Sequence, residues 1–174
     1  MEISRKTATS AYAQSATGEF EGADDAKDIR RTDNLRKHIE RKFSYRYFDE
    51  ISLGIDFTAR DLQKKCKEAG HPWEIAKSFD NSAVLGQFIK MKNIPNPDSI
   101  KFSLNINNKK VQQGDTAEML FKIDHIIEYV SKFNTLKMGD LIFTGTPVGV
   151  GPVKVGDHLE GYIEGEKLLD FYVK

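Results

Sequence analysis

Residues 51–69 read ISLGIDFTARDLQKKCKEA, and the change of pattern within them decides the fold class. The first eight, Ile51 to Thr58, are mostly apolar and rich in β-branched side chains, with Asp56 as the single acid. A short apolar run of this kind predicts a buried strand. The next eleven, Ala59 to Ala69, are charged and helix-favouring, and Gly70 followed by Pro72 supplies a stop. A strand therefore runs directly into a helix. A carboxylate inside an apolar strand costs on the order of several kcal/mol unless a cation meets it. Two partners are open for Asp56: a metal ion, or Arg60 four residues on.

Working outward on the C-terminal side, Trp73 to Asp80 (WEIAKSFD) sets Lys77 among apolar Ile75, Ala76 and Phe79. Such a lysine can act as a desolvated acid/base or as a clamp on a developing oxyanion or enolate. It can equally lay its stem on the core and reach water. Ile100 to Ile106 alternates, Asn107-Asn108 makes a turn, and Lys110 to Gln113 returns as a hairpin partner. Asp124 to Phe133 predicts a helix with Asp124 as N-cap and with Ile126, Ile127, Val130 and Phe133 on one apolar face. Leu141 to Phe143 reads as a short buried strand entering a loop, Thr144 to Pro152 (TGTPVGVGP). Its glycines let backbone N–H groups converge on an anion, and its threonines add hydroxyls. It is no Walker loop, lacking Gly-Lys-Ser/Thr, and a plain turn stays open. His158 to Ile163 and Lys167 to Val173 predict a last hairpin around Glu164-Gly165-Glu166. The fold class is α+β, strand-rich with two or three helices.

On the N-terminal side the pattern is different. Eleven of the nineteen residues from 19 to 37 are charged, without strand alternation or an apolar stripe. Residues 1–18 are rich in Ser, Thr and Ala and carry no apolar run of the kind a secretory signal needs. Arg5, Lys6 and the hydroxyls allow a mitochondrial presequence, which Glu2 and the later acids oppose. Residues 1–37 are thus expected to be an atypical, disordered segment, and residues 38–174 the functional domain. Charge is balanced, 26 basic against 26 acidic residues, so no global field draws nucleic acid or an anionic membrane. No apolar run reaches the ~18–20 residues that span a bilayer. One cysteine, Cys66, excludes an internal disulfide and suits a reducing compartment. Beside Lys64, Lys65 and Lys67 it reads as an ordinary helical residue.

Four stretches together resemble the fumarylacetoacetate hydrolase family: GIDFTARDLQ at 54–63, PWEIAKSFD at 72–80, MGDLIFTGTPVGVGP at 138–152 and VGDHLEGYIEG at 155–165. The resemblance runs from about Ile39 to Lys174. It is strongest to small members acting as acylpyruvate hydrolases, oxaloacetate decarboxylases or tautomerases, with isomerases of 2-hydroxyhepta-2,4-diene-1,7-dioate related to them. It implies a mixed β-roll with flanking helices, a homodimer, a 2-oxo acid substrate, and a cytoplasmic (in a eukaryote, mitochondrial) enzyme. It further implies Asp56 as a ligand of Mg²⁺ or Mn²⁺, Arg60 and Gln63 lining the pocket, and Lys77 beside the reacting oxygens. Thr146, following Gly145, would hold a substrate carboxylate. A hard cation would then chelate the 1,2-dioxo edge, with Lys77 stabilising the enolate or oxyanion.

The sequence also departs from that family. Its remaining metal ligands form a Glu-x-Glu pair on a strand before the aspartate, expected here at positions 25 and 27, which are Asp25 and Lys27. Glu19 and Glu21 have the right mutual spacing but come six residues too early. The lid of the hydrolase members, with its His–Glu dyad, would lie further upstream, and His38 and His125 match no motif. The metal site is therefore expected to be incomplete, either because a foreign sequence replaced that strand or because the N-terminus diverged. An impaired pseudoenzyme or a non-catalytic dimeric binding subunit is the alternative reading.

Overall fold

A computed structural model describes the backbone of residues 5–6 and 9–13, and backbone and side chains of residues 37–137 and 139–174. Glu19, Glu21, Asp25 and Lys27 lie outside the described residues.

The decisive stretch folds as β3 (Glu50–Asp56), then β4 (Thr58–Ala59), then α1 (Arg60–Glu68). Five successive residues of β3 are buried, which is why the run reads as continuously apolar rather than alternating. Ile51, Leu53, Ile55 and Phe57 are 3%, 1%, 0% and 4% exposed and form the centre of the core. Each such burial contributes roughly 1.5–3 kcal/mol. Ser52 on the other face is also buried, and its hydroxyl donates to the Gln87 carbonyl at 3.0 Å.

The core is closed by a second sheet. It comprises β7 (Lys101–Ile106), β8 (Lys109–Asp115), β11 (His158–Ile163) and β12 (Glu166–Tyr172), ordered β12-β11-β7-β8 and antiparallel throughout. Leu104, Leu159, Ile163, Leu168 and Leu169 meet the β3 residues there. Gly161 makes the approach possible: a Cβ built on it would stand 2.8 Å from the Leu53 Cδ1. Asn107 and Asn108, with φ of 50° and 64°, turn β7 into β8, the paired left-handed conformation of a type I′ hairpin.

In the first sheet β3 is flanked by β5 (Ala83–Leu85) and β6 (Ile89–Lys90) on one side and β2 (Thr9–Ala13) on the other, and β2 pairs onward to β9 (Leu141–Ile142). A three-stranded piece is ordered β10 (Pro152–Val153), β1 (Arg5–Lys6), β4. The helix α2 (Ile123–Ser131) packs on Ile39 through Ile127. The mixture of antiparallel sheets and few helices is α+β, as expected.

Several expectations need correction. Residues 5–6 and 9–13, in the segment that showed no strand pattern, are paired as β1 and β2. The N-cap of α2 is Lys122, not Asp124, and it makes no side-chain cap bond. Asp124 sits inside the first turn, accepting from Arg41 Nε at 2.7 Å, so a tertiary ion pair captured the acid. Phe133 lies beyond the helix end and is 66% exposed rather than on the buried face. Leu141 is 41% exposed because β9 is an outer strand, and Phe143 falls outside it.

Candidate functional site

Asp56 ends β3, and its carboxylate is met by the Lys77 ammonium. Of the partners left open by the sequence, Arg60 does not meet Asp56: it turns instead to Gln63, its Nη1 donating to Oε1 at 2.9 Å. Lys77 follows a short 3-10 turn, Glu74–Ala76, whose Ala76 is fully buried, and its own N–H donates to the Glu74 carbonyl at 2.8 Å. That turn fixes the backbone from which the side chain reaches Asp56. Both side chains are about 30% exposed (29% and 30%), so the pair is open to solvent on one side.

Arg60 is the first residue of α1 and forms no ion pair among the described residues; its Nε is buried without a hydrogen-bond partner. The Thr58 hydroxyl, in a residue 1% exposed, is likewise buried and unpaired. Gln63 is 6% exposed. Two polar groups waiting for partners thus stand between Asp56 and the helix start, an arrangement that native proteins normally complete with water or a ligand.

Thr146 lies in the glycine-rich loop. Gln112, on β8 and 2% exposed, donates from Nε2 to the Thr146 Oγ1 at 3.0 Å and to the Pro147 carbonyl at 3.1 Å. Gly145 and Gly149 have φ of 121° and 102°, conformations that only glycine adopts freely. At Gly149 the packing is closer still, a Cβ there standing 2.1 Å from the Val111 carbonyl oxygen. Gln112 is the positioning residue that the sequence did not reveal. Its only sequence signal was a polar residue within the alternating hairpin.

These groups form three local sets, and the sheet order relates them. The loop leaves β9, one strand (β2) away from β3, and returns as β10, one strand (β1) away from β4. With strands ~4.8 Å apart, both loop ends are anchored roughly 10 Å from the strands that flank the Asp56–Thr58 corner.

The described residues do not assemble a divalent-cation site there. The strands beside β3, namely β2 (TSAYA), β5 (AVL) and β6 (IK), contain no acid, and the one carboxylate at the corner already has an ammonium. Hard divalent cations need several oxygen ligands with enough negative charge to replace their hydration. The one described cluster of potential ligands is elsewhere, at His158, Glu160 and Asp170. Its charge is met by Lys167, whose Nζ donates to Glu160 Oε1 at 3.1 Å and to Asp170 Oδ2 at 2.5 Å. The Asp170 and Glu160 hydrogen bonds raise the Lys167 pKa well above its usual range, and Lys167 and His158 in turn lower that of Asp170. An open groove of about 350 Å³ beside Lys101, Asn105 and Tyr162 contains none of the candidate residues.

The structure thus carries an acid–lysine pair at the end of β3 and a glycine-rich loop between β9 and β10. Residues 33–170 match the family model described as fumarylacetoacetate (FAA) hydrolase C-terminal, and the chain belongs to that family. It is 45% identical over 128 residues to the mitochondrial oxaloacetate tautomerase FAHD1 of Mus musculus, covering 74% of this chain and 58% of that protein. It is 48% identical over 117 residues to oxaloacetate tautomerase YcgM of Escherichia coli, covering 67% and 53%. The chain thus spans little more than half the length of these curated relatives. Among solved structures, fumarylpyruvate hydrolase from Pseudomonas aeruginosa in complex with Mn²⁺ and pyruvate superposes with a TM-score of 0.80 at 29% identity, over 98% of this chain and 66% of that one. The 5-carboxymethyl-2-hydroxymuconate delta-isomerase of Mycobacterium smegmatis gives 0.77 at 25%, over 98% and 59%.

Proposed function

We propose that this chain acts on a small, enolisable 2-oxo acid, with keto–enol tautomerisation of oxaloacetate as its reaction. The observation that carries the reading is the Asp56–Lys77 pair at the end of β3, with the glycine-rich loop anchored one strand away at either end. The relatives named as oxaloacetate tautomerases, and the neighbour holding pyruvate, support the substrate class.

In this reading Arg60 and the Thr146 hydroxyl hold carboxylates, and Gln63 keeps the guanidinium in place through its 2.9 Å bond. Lys77 donates to the substrate's carbonyl oxygen as the C3 proton passes to water on the pair's solvent-open side, stabilising the enolate. Asp56 orients the ammonium. Gly145 lets the loop bring Thr146 down, and Gln112 holds it there. Among the described residues, the Mg²⁺ that the resemblance implied finds no ligand set at this corner. A homodimer is part of the proposal, supported by the aromatic stripe of Phe121, Tyr129 and Phe133, exposed at 58%, 58% and 66%. A mitochondrial setting is supported by the mammalian relatives' names.

The test is oxaloacetate tautomerisation followed by loss of enol absorbance. The pure chain should exceed the buffer rate, and Lys77→Met and Asp56→Ala should each remove at least ~90% of the excess. A wild-type rate equal to buffer would sink the proposal. A second reading, a non-catalytic subunit that binds 2-oxo acids, is favoured by the single carboxylate at the corner and predicts binding without turnover.

A further inference from the structure

We propose that the groove on the outer face of the second sheet binds a small hydroxylated dianion, a sugar bisphosphate in chemical class, at a site separate from the Asp56–Lys77 pair. The groove measures about 350 Å³, within the ~300–1,000 Å³ range of small-molecule sites. Lys101, Ser103, Asn105, Lys110, Gln113 and Tyr162 are in its walls.

Strand alternation builds the floor. Leu104 is buried in the core, so its neighbours Ser103 and Asn105 face outward. Ser103 lies in register between Tyr162 of β11 and Gln113 of β8, which sets a phenol, a hydroxyl and an amide in one row. The next row pairs Asn105 with Lys110, while Lys101 stands at the other end of β7. At ~3.3 Å per residue, the stems of Lys101 and Lys110 therefore spring from points roughly 13 Å apart along the strand. Two cations thus flank a strip of hydroxyl and amide groups. A lysine is a compact point charge suited to phosphate, and amides and hydroxyls suit the O–H groups of a sugar. The nearby acids are engaged elsewhere. Asp115, opposite Lys101, accepts from the Ser99 hydroxyl at 2.7 Å and the Ala117 N–H at 2.8 Å. Glu160, opposite Asn105, accepts from Lys167 at 3.1 Å. Asn105 itself points to a ligand: its Oδ1 is buried without a hydrogen-bond partner among the described residues, a state that costs free energy until a donor arrives. A ligand hydroxyl is such a donor. The groove and the candidate site lie on opposite faces of β8, since Gln113 lines the groove while Gln112, 2% exposed, holds Thr146 on the other side.

Equilibrium dialysis of the full chain against fructose 1,6-bisphosphate, fructose 6-phosphate and fructose tests this, with no need of activity. We expect one site with a Kd of about 0.1 mM for the bisphosphate, about tenfold weaker binding of the monophosphate, and no retention of fructose at ~10⁻³ M. Lys101→Gln and Lys110→Gln should each weaken the bisphosphate about tenfold but the monophosphate only about twofold, because a single phosphate can use whichever lysine remains. Asn105→Ala should weaken both ligands about fivefold without lowering the urea midpoint, a combination that a purely structural role for Asn105 would not give. Lys77→Met should bind the bisphosphate as the unaltered chain does. Equal affinity for bisphosphate and monophosphate, binding unmoved by either lysine change, or loss of binding in Lys77→Met overturns the proposal. So does absence of bisphosphate binding at ~10⁻² M.

Discussion

Lys77→Met takes away the ammonium that meets Asp56 and leaves a half-buried carboxylate unpaired. Because each partner keeps about 30% exposure, the stability loss should be modest, about 1 kcal/mol, while activity falls at least tenfold. A shift in the urea midpoint without a change in slope, measured beside the rate, checks both parts. Gly149→Ala has the opposite balance. Its Cβ would stand 2.1 Å from the Val111 carbonyl at φ 102°, so loop and β8 must separate, at about 1–3 kcal/mol. The expected readout is a lower Tm together with a raised KM, since Thr146 moves with the loop. At this scale the sequence made Asp56 and Lys77 conspicuous, each as a charge in an apolar setting. It could not show that they meet, because 21 residues separate them and the contact is tertiary. Gln112 stayed hidden for the same reason: its partner lies 34 residues away.

Elements carry their own predictions. Asn108 occupies the second left-handed position of the β7–β8 turn, where glycine is less strained; Asn108→Gly should raise stability by about 0.5 kcal/mol, seen as a higher urea midpoint. Ser131 ends α2 fully buried, its hydroxyl accepting from the Ile39 N–H at 2.9 Å and donating to the Glu128 carbonyl at 2.9 Å. Ser131→Ala strands the Ile39 amide and should cost about 1–2 kcal/mol, with faster hydrogen exchange at Ile39. The hairpin and α1 were legible because local chemistry decides them: paired asparagines in one, charged helix formers closed by Gly70 in the other. The start of α2 was misread because a long-range partner, Arg41, claimed the capping acid. β9 and β10, two residues each, carry no periodicity at all and exist through their neighbours.

For the molecule as a whole, the stability profile with pH follows from its carboxylates. Asp124 is held below the ordinary value of 3.8 by the Arg41 hydrogen bond, Asp115 by the Ala117 amide and the Ser99 hydroxyl, and Asp157 by the Lys154 amide and Asn107. A depressed folded pKa contributes stability above the unfolded pKa and loses it as pH falls through the folded one. Lys167, raised above 10.5 by Asp170 and Glu160, contributes below 10.5 and loses its share only as pH climbs past that value. Urea midpoints should therefore be level from about pH 5 to 9 and fall below about pH 4. A profile rising toward acid would contradict these assignments. The sheet-on-sheet core was foreshadowed by β3, but the closure of both loop ends by β1 and β2 was not. Nothing in residues 5–13 alternates, and their pairing depends on partners far along the chain.

That closure bears on how the protein is made. Arg5 pairs with both Ala59 and Val153. At ~5–20 residues per second, a ribosome needs roughly 7–30 s between synthesising the first strand and its last partner. During that interval β1 and β2 are complete but lack β10 and β9, which will later cover their edges, and an unpaired strand edge invites other chains. Nascent copies on one messenger are thus exposed to mutual sticking, and holding chaperones should raise the yield of soluble product more than cooling after release does.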